Sequence, residues 1–233
     1  MISISRQEIR SALEQYIVSL SIMPEGKHQL DEMAVPSYLH GNPLVRWIIR
    51  ERLWALHHIL CKEGKKRGKG GCLLDFGCGI GLLGVMQSAY VEKTVAVDLV
   101  IEPAKLIKEH YRVENMMPIA AVDFHWSDWQ NAFDHVVAAD VLEHVDNLDS
   151  FLDNIASVLR PEGRFFLSGP TESWFYGLCR KIAGFTGEYH HRNIYDIEKQ
   201  LSDKGWHRTE VKAIPWFLPF KMFRVSVWKR KLP

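Results

Sequence analysis

The chain has 233 residues, 29 Lys and Arg against 28 Asp and Glu, a net charge of +1 and 47% hydrophobic content. That length buries a substantial core without a second globular domain, and the balanced charge gives no broad field to attract nucleic acid. Cys61, Cys72, Cys78 and Cys179 form no C-x-x-C pair, which suits a reducing, cytoplasmic compartment. Charges at Arg6, Glu8 and Arg10 interrupt what would be a signal-peptide core, and no unbroken apolar run is long enough to span a bilayer.

Taken in chain order, Gln7 to Leu20 and Leu44 to Leu60 carry helical apolar spacing, broken between them by Pro24, Gly26, Pro36 and Asn42-Pro43. Residues 1–70 therefore read as an N-terminal helical lid or brace ending in the basic linker KKRGKGG, and residues 71–233 as one cofactor-binding domain. From Gly71 the pattern alternates: a strand at Cys72 to Phe76, a helix at Ile80 to Tyr90, a strand at Thr94 to Leu99, a helix at Glu102 to Tyr111 and a strand at Pro118 to Val122. Phe133 to Ala139 reads as the fourth strand, Leu148, Phe151, Leu152, Ile155 and Leu159 as one apolar helix face, and Arg164 to Ser168 as the fifth strand. Thr209 to Ile214 and Met222 to Trp228 close the series, joined by the turn PWFLPFK. Alternation of this kind implies a parallel sheet covered by helices.

The segment LLDFGCGIGLLG, Leu73 to Gly84, places an acid and alternating glycines after an apolar strand. Glycine tolerates backbone angles that side chains forbid, so Gly77, Gly79 and Gly81 let the main chain turn closely past a ligand, with Cys78 between them. N–H groups at the start of the next helix are expected to face that ligand. Gly79, Gly81 and Gly84 also satisfy G-x-G-x-x-G, the dinucleotide pattern. Asp75 separates the two readings: a carboxylate there repels a pyrophosphate but holds the ammonium group of S-adenosylmethionine. Asp98, at the end of TVAVDLV about twenty residues on, is placed to accept both ribose hydroxyls of either cofactor.

Four ordered segments between Gly71 and Pro170, LLDFGCGIG, AVDL, FDHVVAADVLEHV and LRPEGRFFLSGP, together resemble the motifs of class I S-adenosylmethionine-dependent methyltransferases. The resemblance implies a Rossmann-like α/β fold with a seven-stranded, mostly parallel sheet in the order 3-2-1-4-5-7-6, the seventh strand antiparallel, with N-terminal helices and a lid insertion after strand 5. It further implies that Asp123 and Phe124 follow the third strand at the adenine, with Trp126 or Asp128 as alternatives, that Leu99 packs on the adenine, and that Asp140 lies at the fourth strand's end beside the cofactor.

Methyl transfer from a sulfonium disperses charge, so alignment and removal of the acceptor's proton carry the catalysis. His144 in DVLEHV is the best-placed base, with Glu143 beside it and His190 and His191 as competitors from the later loop; the other reading of His144 is a packed residue at a helix start. Asp140, Glu143 and His144 form D-x-x-E-H, similar to the E-x-x-E-H by which some O-methyltransferases hold a divalent metal, though with a shorter first acid. We assign no metal ligand here.

Between the fifth strand and the next helix, Trp174, Phe175, Leu178, Ile182 and Phe185 form an apolar stripe beside Arg180 and Lys181. It reads either as a lid helix over the acceptor or as a peripheral membrane contact. The arrangement looks like methyltransferases of quinone biosynthesis and of glycan or glycolipid pathways, with His191 before the next helix. These features imply methylation of a small-molecule or lipid-linked acceptor, most simply at a hydroxyl oxygen; a nicotinamide-dependent oxidoreductase and a non-catalytic methyltransferase-like partner are the alternatives.

Overall fold

The structure is a computed structural model that describes residues 5–22, 38–67, 71–171, 192–215 and 221–231. Two helices come first, α1 (Arg6–Ile22) and α2 (Pro43–Arg67). There follow β1 (Cys72–Phe76), α3 (Leu82–Gln87), β2 (Lys93–Asp98), α4 (Glu102–His110), β3 (Met116–Ala120), β4 (Phe133–Ala139) and α5 (Leu148–Val158). The chain continues with β5 (Leu159–Pro170), α6 (Ile194–Asp203), β6 (Trp206–Ile214) and β7 (Phe223–Arg230).

The seven strands form one sheet in the order β3-β2-β1-β4-β5-β7-β6. Strands β1 to β5 are parallel, and β7 runs antiparallel to both β5 and β6. This is the expected Rossmann-like order. Helices cover both faces, so the central strands are near-continuous apolar runs: Leu73, Leu74, Val95, Val97, Val136 and Val137 are all fully buried. On one face Leu74, Val97, Val136 and Phe165 meet Leu148, Leu152 and Ile155 of α5 and Ile197 and Leu201 of α6. On the other, Leu73, Val137, Phe166 and Val225 meet Leu56, Ile59 and Leu60 of α2. Ile9 and Leu13 of α1 pack with Ile80, Ala104 and Ile107 against β2 and β3.

Helix α2 thus shares a core with the sheet. A division after residue 70 cuts through that core, so the N-terminal helices are built into the unit that carries the site. Local chemistry fixes the helix starts on the opposite face: Asn147 caps α5 by accepting the Ser150 N–H at 3.0 Å, and Asn193 and Asp196 form a reciprocal capping box at α6.

Several boundaries differ from the sequence reading: α2 runs on to Arg67, through the first half of the basic run expected as a linker, β6 begins at Trp206, and three others have a clear local cause. Helix α3 stops at Gln87, where the Ser88 hydroxyl donates to the Val85 carbonyl at 2.8 Å and competes with the helical ladder. Strand β3 begins and ends two residues earlier than expected, because Val122 lies 83% exposed in a short 3-10 turn at Ala121–Asp123. Strand β5 starts at Leu159 because Pro161-Glu162-Gly163 is absorbed as an irregularity: Phe133 pairs with Leu159, and His135 with Arg164.

Candidate functional site

The sheet order reverses at β1, whose neighbours are β2 and β4. In open parallel sheets ligands bind outside the strand carboxyl ends at such a reversal, and Asp75, Asp98 and Asp140 all stand there.

The glycine turn connects β1 to α3 through three left-handed residues, Gly77 (φ 73°), Gly79 (φ 55°) and Gly81 (φ 77°). Crowding at two of them comes from the protein itself. A methyl group on Gly77 would lie 2.0 Å from a Val141 methyl, and one on Gly81 would lie 2.5 Å from Met116 Cε and 3.1 Å from Ala104 Cβ. The turn's own donors are engaged by the protein. The Gly77 and Cys78 N–H groups donate to the Val97 carbonyl at 2.8 and 3.0 Å, Gly79 donates to Asp98 Oδ2 at 2.7 Å, and Gly81 donates to the Cys78 carbonyl at 2.9 Å. These four N–H groups are spent inside the protein, so the turn is poorly equipped to cradle a pyrophosphate.

What the turn offers instead is buried negative charge. Asp75 is 2% exposed, and its Oδ2 has no hydrogen-bond partner. Burial, and secondarily the Asp98 charge, pushes its carboxyl up to about 7. Asp98 accepts from Gly79 and from the Val100 N–H at 3.2 Å; burial raises its pKa, against the lowering effect of those N–H bonds. A carboxylate has about four acceptor positions, so capacity for ribose hydroxyls remains. Burial, with Asp75 and Asp98 behind it, raises the Cys78 thiol well above its ordinary range, so the turn cysteine stays protonated.

Asp140 adopts φ 55°, its N–H held by the Ser168 carbonyl at 2.9 Å, and its carboxylate is paired with Arg52 of α2. Its Oδ1 is buried without a partner. Arg52 also stacks 5.1 Å from the Phe223 ring centre and hydrogen-bonds Tyr38, whose hydroxyl feels the charge of Asp75 as well. The stretch around Tyr38 is tied down by Arg6, which donates to the Leu39 carbonyl at 3.0 Å, and by Arg46, which donates to the Gly41 carbonyl at 2.8 Å. Arg52 and Tyr38 escaped the sequence reading, because nothing in a helical apolar pattern says which charged residue will be turned toward the sheet edge.

A family model described as a methyltransferase domain matches residues 47–219. The chain belongs to this methyltransferase family. It is 30% identical over 145 residues to the bovine mitochondrial ubiquinone biosynthesis O-methyltransferase, covering 59% of this chain and 39% of that one. Over 108 residues it is 32% identical to the ubiquinone biosynthesis O-methyltransferase of Xanthomonas euvesicatoria, covering 42% and 43%. The chain spans about two-fifths of the length of these curated relatives. The magnesium protoporphyrin IX methyltransferase of Synechocystis, solved with bound SAH, shares the fold at TM-score 0.65 and 18% identity, over 97% of this chain and 100% of that one.

Within this methyltransferase the remaining expected positions divide. Leu99 is 87% exposed at the carboxyl edge, free to cover a flat ligand, and Asp123 is also exposed. Phe124 is different: its ring is buried in the core, edge-on to Phe76 and Trp126 and parallel to Trp129, so its side chain is not available to an adenine. Trp126 stacks on Phe76 at 5.1 Å, which occupies one face of its ring, and Asp128 accepts from the Ser127 hydroxyl on the surface.

The short turn Leu142–His144 separates its two polar residues, burying Glu143 and exposing His144. Among the described residues no group of three His, Cys, Asp or Glu side chains gathers as a metal site. Arg192 donates to the Val145 carbonyl at 2.6 Å and the Asp146 carbonyl at 3.0 Å, which ties the entry of α6 to the loop after His144. His190, His191, Cys179 and the stripe from Trp174 to Phe185 lie outside the described residues. No helix among the described residues is long and apolar enough to cross a membrane.

Proposed function

We propose that this methyltransferase uses S-adenosylmethionine to methylate a small-molecule or lipid-linked acceptor at a hydroxyl oxygen. The observation that carries the cofactor reading is Asp75, a buried carboxylate with an unpartnered oxygen beside a glycine turn whose N–H groups are already spent. Such a site suits a cationic amino group and disfavours a phosphate. Asp98 would hold the ribose, Leu99 and Asp123 lie where the adenine would rest, and Asp140 with Arg52 borders the methionine end. When bound, the cofactor supplies an electrophilic methyl group on a sulfonium. The chain's own work is to align the acceptor, exclude water and take the hydroxyl proton, the last through His144, with Glu143 and His191 as the other candidates.

Oxygen is favoured by the curated relatives, which are named as O-methyltransferases of ubiquinone biosynthesis; the segment after β4, AADVLEH, lacks the Asn/Asp-Pro-Pro-aromatic motif, which argues against base methylation only. A groove of about 640 Å³ lies between α2 and the end of β6, with Trp47, Trp54, Ala55, Ala213, Ile214 and Pro215 on its wall and Glu51, His58 and Lys212 among them. It reaches the same sheet edge as the site, because Ile214 pairs with Phe223 and Phe223 with Pro170 at the end of β5. The two tryptophans and Ile214 of this groove suit an acceptor with an apolar tail.

Calorimetry tests the cofactor. S-adenosylmethionine and S-adenosylhomocysteine should each bind at one site, and nicotinamide dinucleotides should not. Tight dinucleotide binding with none for the methyl donor would establish the oxidoreductase alternative, and donor binding without methyl transfer to any fraction of a cell extract would favour the non-catalytic one.

A further inference from the structure

We infer that Arg192 is a positioning residue for methyl transfer, holding in place the turn that presents His144 to the acceptor. The inference deepens the reading of His144 as the base and rests on it. A base acts only when its nitrogen is held within hydrogen-bond reach of the proton it takes, and His144 stands on a segment with little regular structure of its own. Residues 140–147 join the end of β4 to the cap of α5. Within them Leu142–His144 closes as one 3-10 turn, the His144 N–H donating to the Val141 carbonyl at 3.0 Å and the Val145 N–H to the Leu142 carbonyl at 3.4 Å. Upstream the turn is anchored: the Ser168 carbonyl holds the Asp140 N–H at 2.9 Å, and Leu142 is fully buried in the core shared with α5 and α6. Downstream, Val145 leaves the turn with an extended backbone. The carbonyls of Val145 and Asp146 precede the Asn147 cap, so neither enters the α5 ladder.

Arg192 grips both of those carbonyls. Its Nη1 donates to Val145 at 2.6 Å and its Nη2 to Asp146 at 3.0 Å. A planar guanidinium fixes two acceptors at one spacing, which a lysine ammonium on its flexible stem does not. The arginine in turn stands on a rigid base. Asn193, the next residue, forms the capping box of α6 with Asp196. Ile194 is fully buried against the end of β5, where a methyl group on Gly169 would lie 2.9 Å from its Cδ1. The start of α6 and the end of β5 thus fix the downstream side of the turn, as Leu142 and Ser168 fix the upstream side, and His144 lies between them. Helix α6 keeps its caps and its buried face when the guanidinium is removed, so that loss frees the turn without dissolving the helix. A displacement of about 1 Å at a reacting group costs on the order of 100-fold in rate.

The test follows the initial rate of labelled methyl transfer from S-adenosylmethionine into the organic-soluble fraction of a cell extract, with S-adenosylhomocysteine affinity and Tm measured on the same variants. Arg192→Ala should lower the rate about 10–100-fold and leave the affinity within about twofold; Arg192→Lys should recover part of the rate. Asn193→Ala is the structural control, since it removes the α6 cap and keeps the guanidinium. It should lower Tm more than Arg192→Ala does, with the rate held within about twofold of the parent. On a His144→Ala background, Arg192→Ala should change the rate by less than about twofold, because its effect passes through the imidazole. Equal rate losses for Arg192→Ala and Asn193→Ala would make the arginine part of the helix's structure and overturn the inference. An undiminished loss on the His144→Ala background would overturn it too, as would a parental rate for Arg192→Ala beside a crippled His144→Ala. A parental rate for His144→Ala, or no transfer by the unaltered chain, is a distinct result: the reading of the base or of the enzyme fails, and the inference falls with it.

Discussion

Asp75→Asn should make the ligand-free protein more stable at alkaline pH while destroying its affinity for the methyl donor. The carboxyl of Asp75 is pushed up to about 7 by burial and by Asp98, whereas in an unfolded chain it titrates near its ordinary value of about 3.9. Between those values the folded state keeps a proton that the unfolded state has released. Stability from this group is therefore complete in acid, falls as pH rises through the window and is lost above about pH 7. From pH 5 to pH 8 roughly two pKa units of that window are crossed, which at about 1.4 kcal/mol per unit amounts to about 2–3 kcal/mol. In a chain of this size that is about 5–10 °C in Tm. Asparagine keeps the shape and cannot ionise, so the gap between variant and parent should open from pH 5 to pH 8 in thermal unfolding followed by circular dichroism. A cationic ligand reverses the sign, because it favours the ionised form, and S-adenosylhomocysteine affinity should rise over the same interval in the parent. Parallel Tm curves for the two proteins across this pH range would refute the assignment of buried, ligand-poised charge to Asp75.

Two further predictions concern the turn and the acceptor side. Gly81→Ala meets both a left-handed backbone and Met116 and Ala104, and should cost about 2–3 kcal/mol; Gly205→Ala, at φ 81° with open space around it, should cost only the backbone share of about 1–2 kcal/mol, so equal denaturant midpoints for the two would refute the packing argument. His144→Ala should lower kcat about 10²–10⁴-fold with S-adenosylhomocysteine affinity unchanged, and a kcat near that of the parent would transfer the base role to another residue.

The fold was legible because each of its signals is local. Strands β1 and β4 are apolar runs closed by a glycine turn and by an acid, and their bounds agree with the sequence reading at both ends. Boundaries failed where apolar character and secondary structure part company. Val122 looks like a strand residue and is exposed in a turn, while Pro161 and Gly163 look like a turn and are carried within β5 by the irregular pairing of Leu159 and Arg164. The packing of Phe124 was illegible for a related reason: an aromatic residue after a strand can stack on a ligand or on its neighbours, and the cluster of Phe76, Trp126, Trp129 and Phe151 had no local signature.

The site was legible only in its acidic half. Asp75, Asp98 and Asp140 announce themselves because each lies within one residue of a strand's carboxyl end, and a strand end is a place that sequence can mark. Arg52 sits mid-helix among Arg50, Glu51 and Leu53, where the ordinary expectation is a solvated charge. What moves it to the edge of the sheet is the packing of Leu56, Ile59 and Leu60 one and two turns further along the helix, which fixes the roll of α2 and leaves position 52 facing Asp140. A cation at this edge is nonetheless demanded by electrostatics: with three carboxylates converging and Asp75 already held near neutrality by burial, an anionic group could not enter without one. The N-terminal helices are thus part of the site's charge balance as well as its cover, and removing them should cost ligand recognition along with stability.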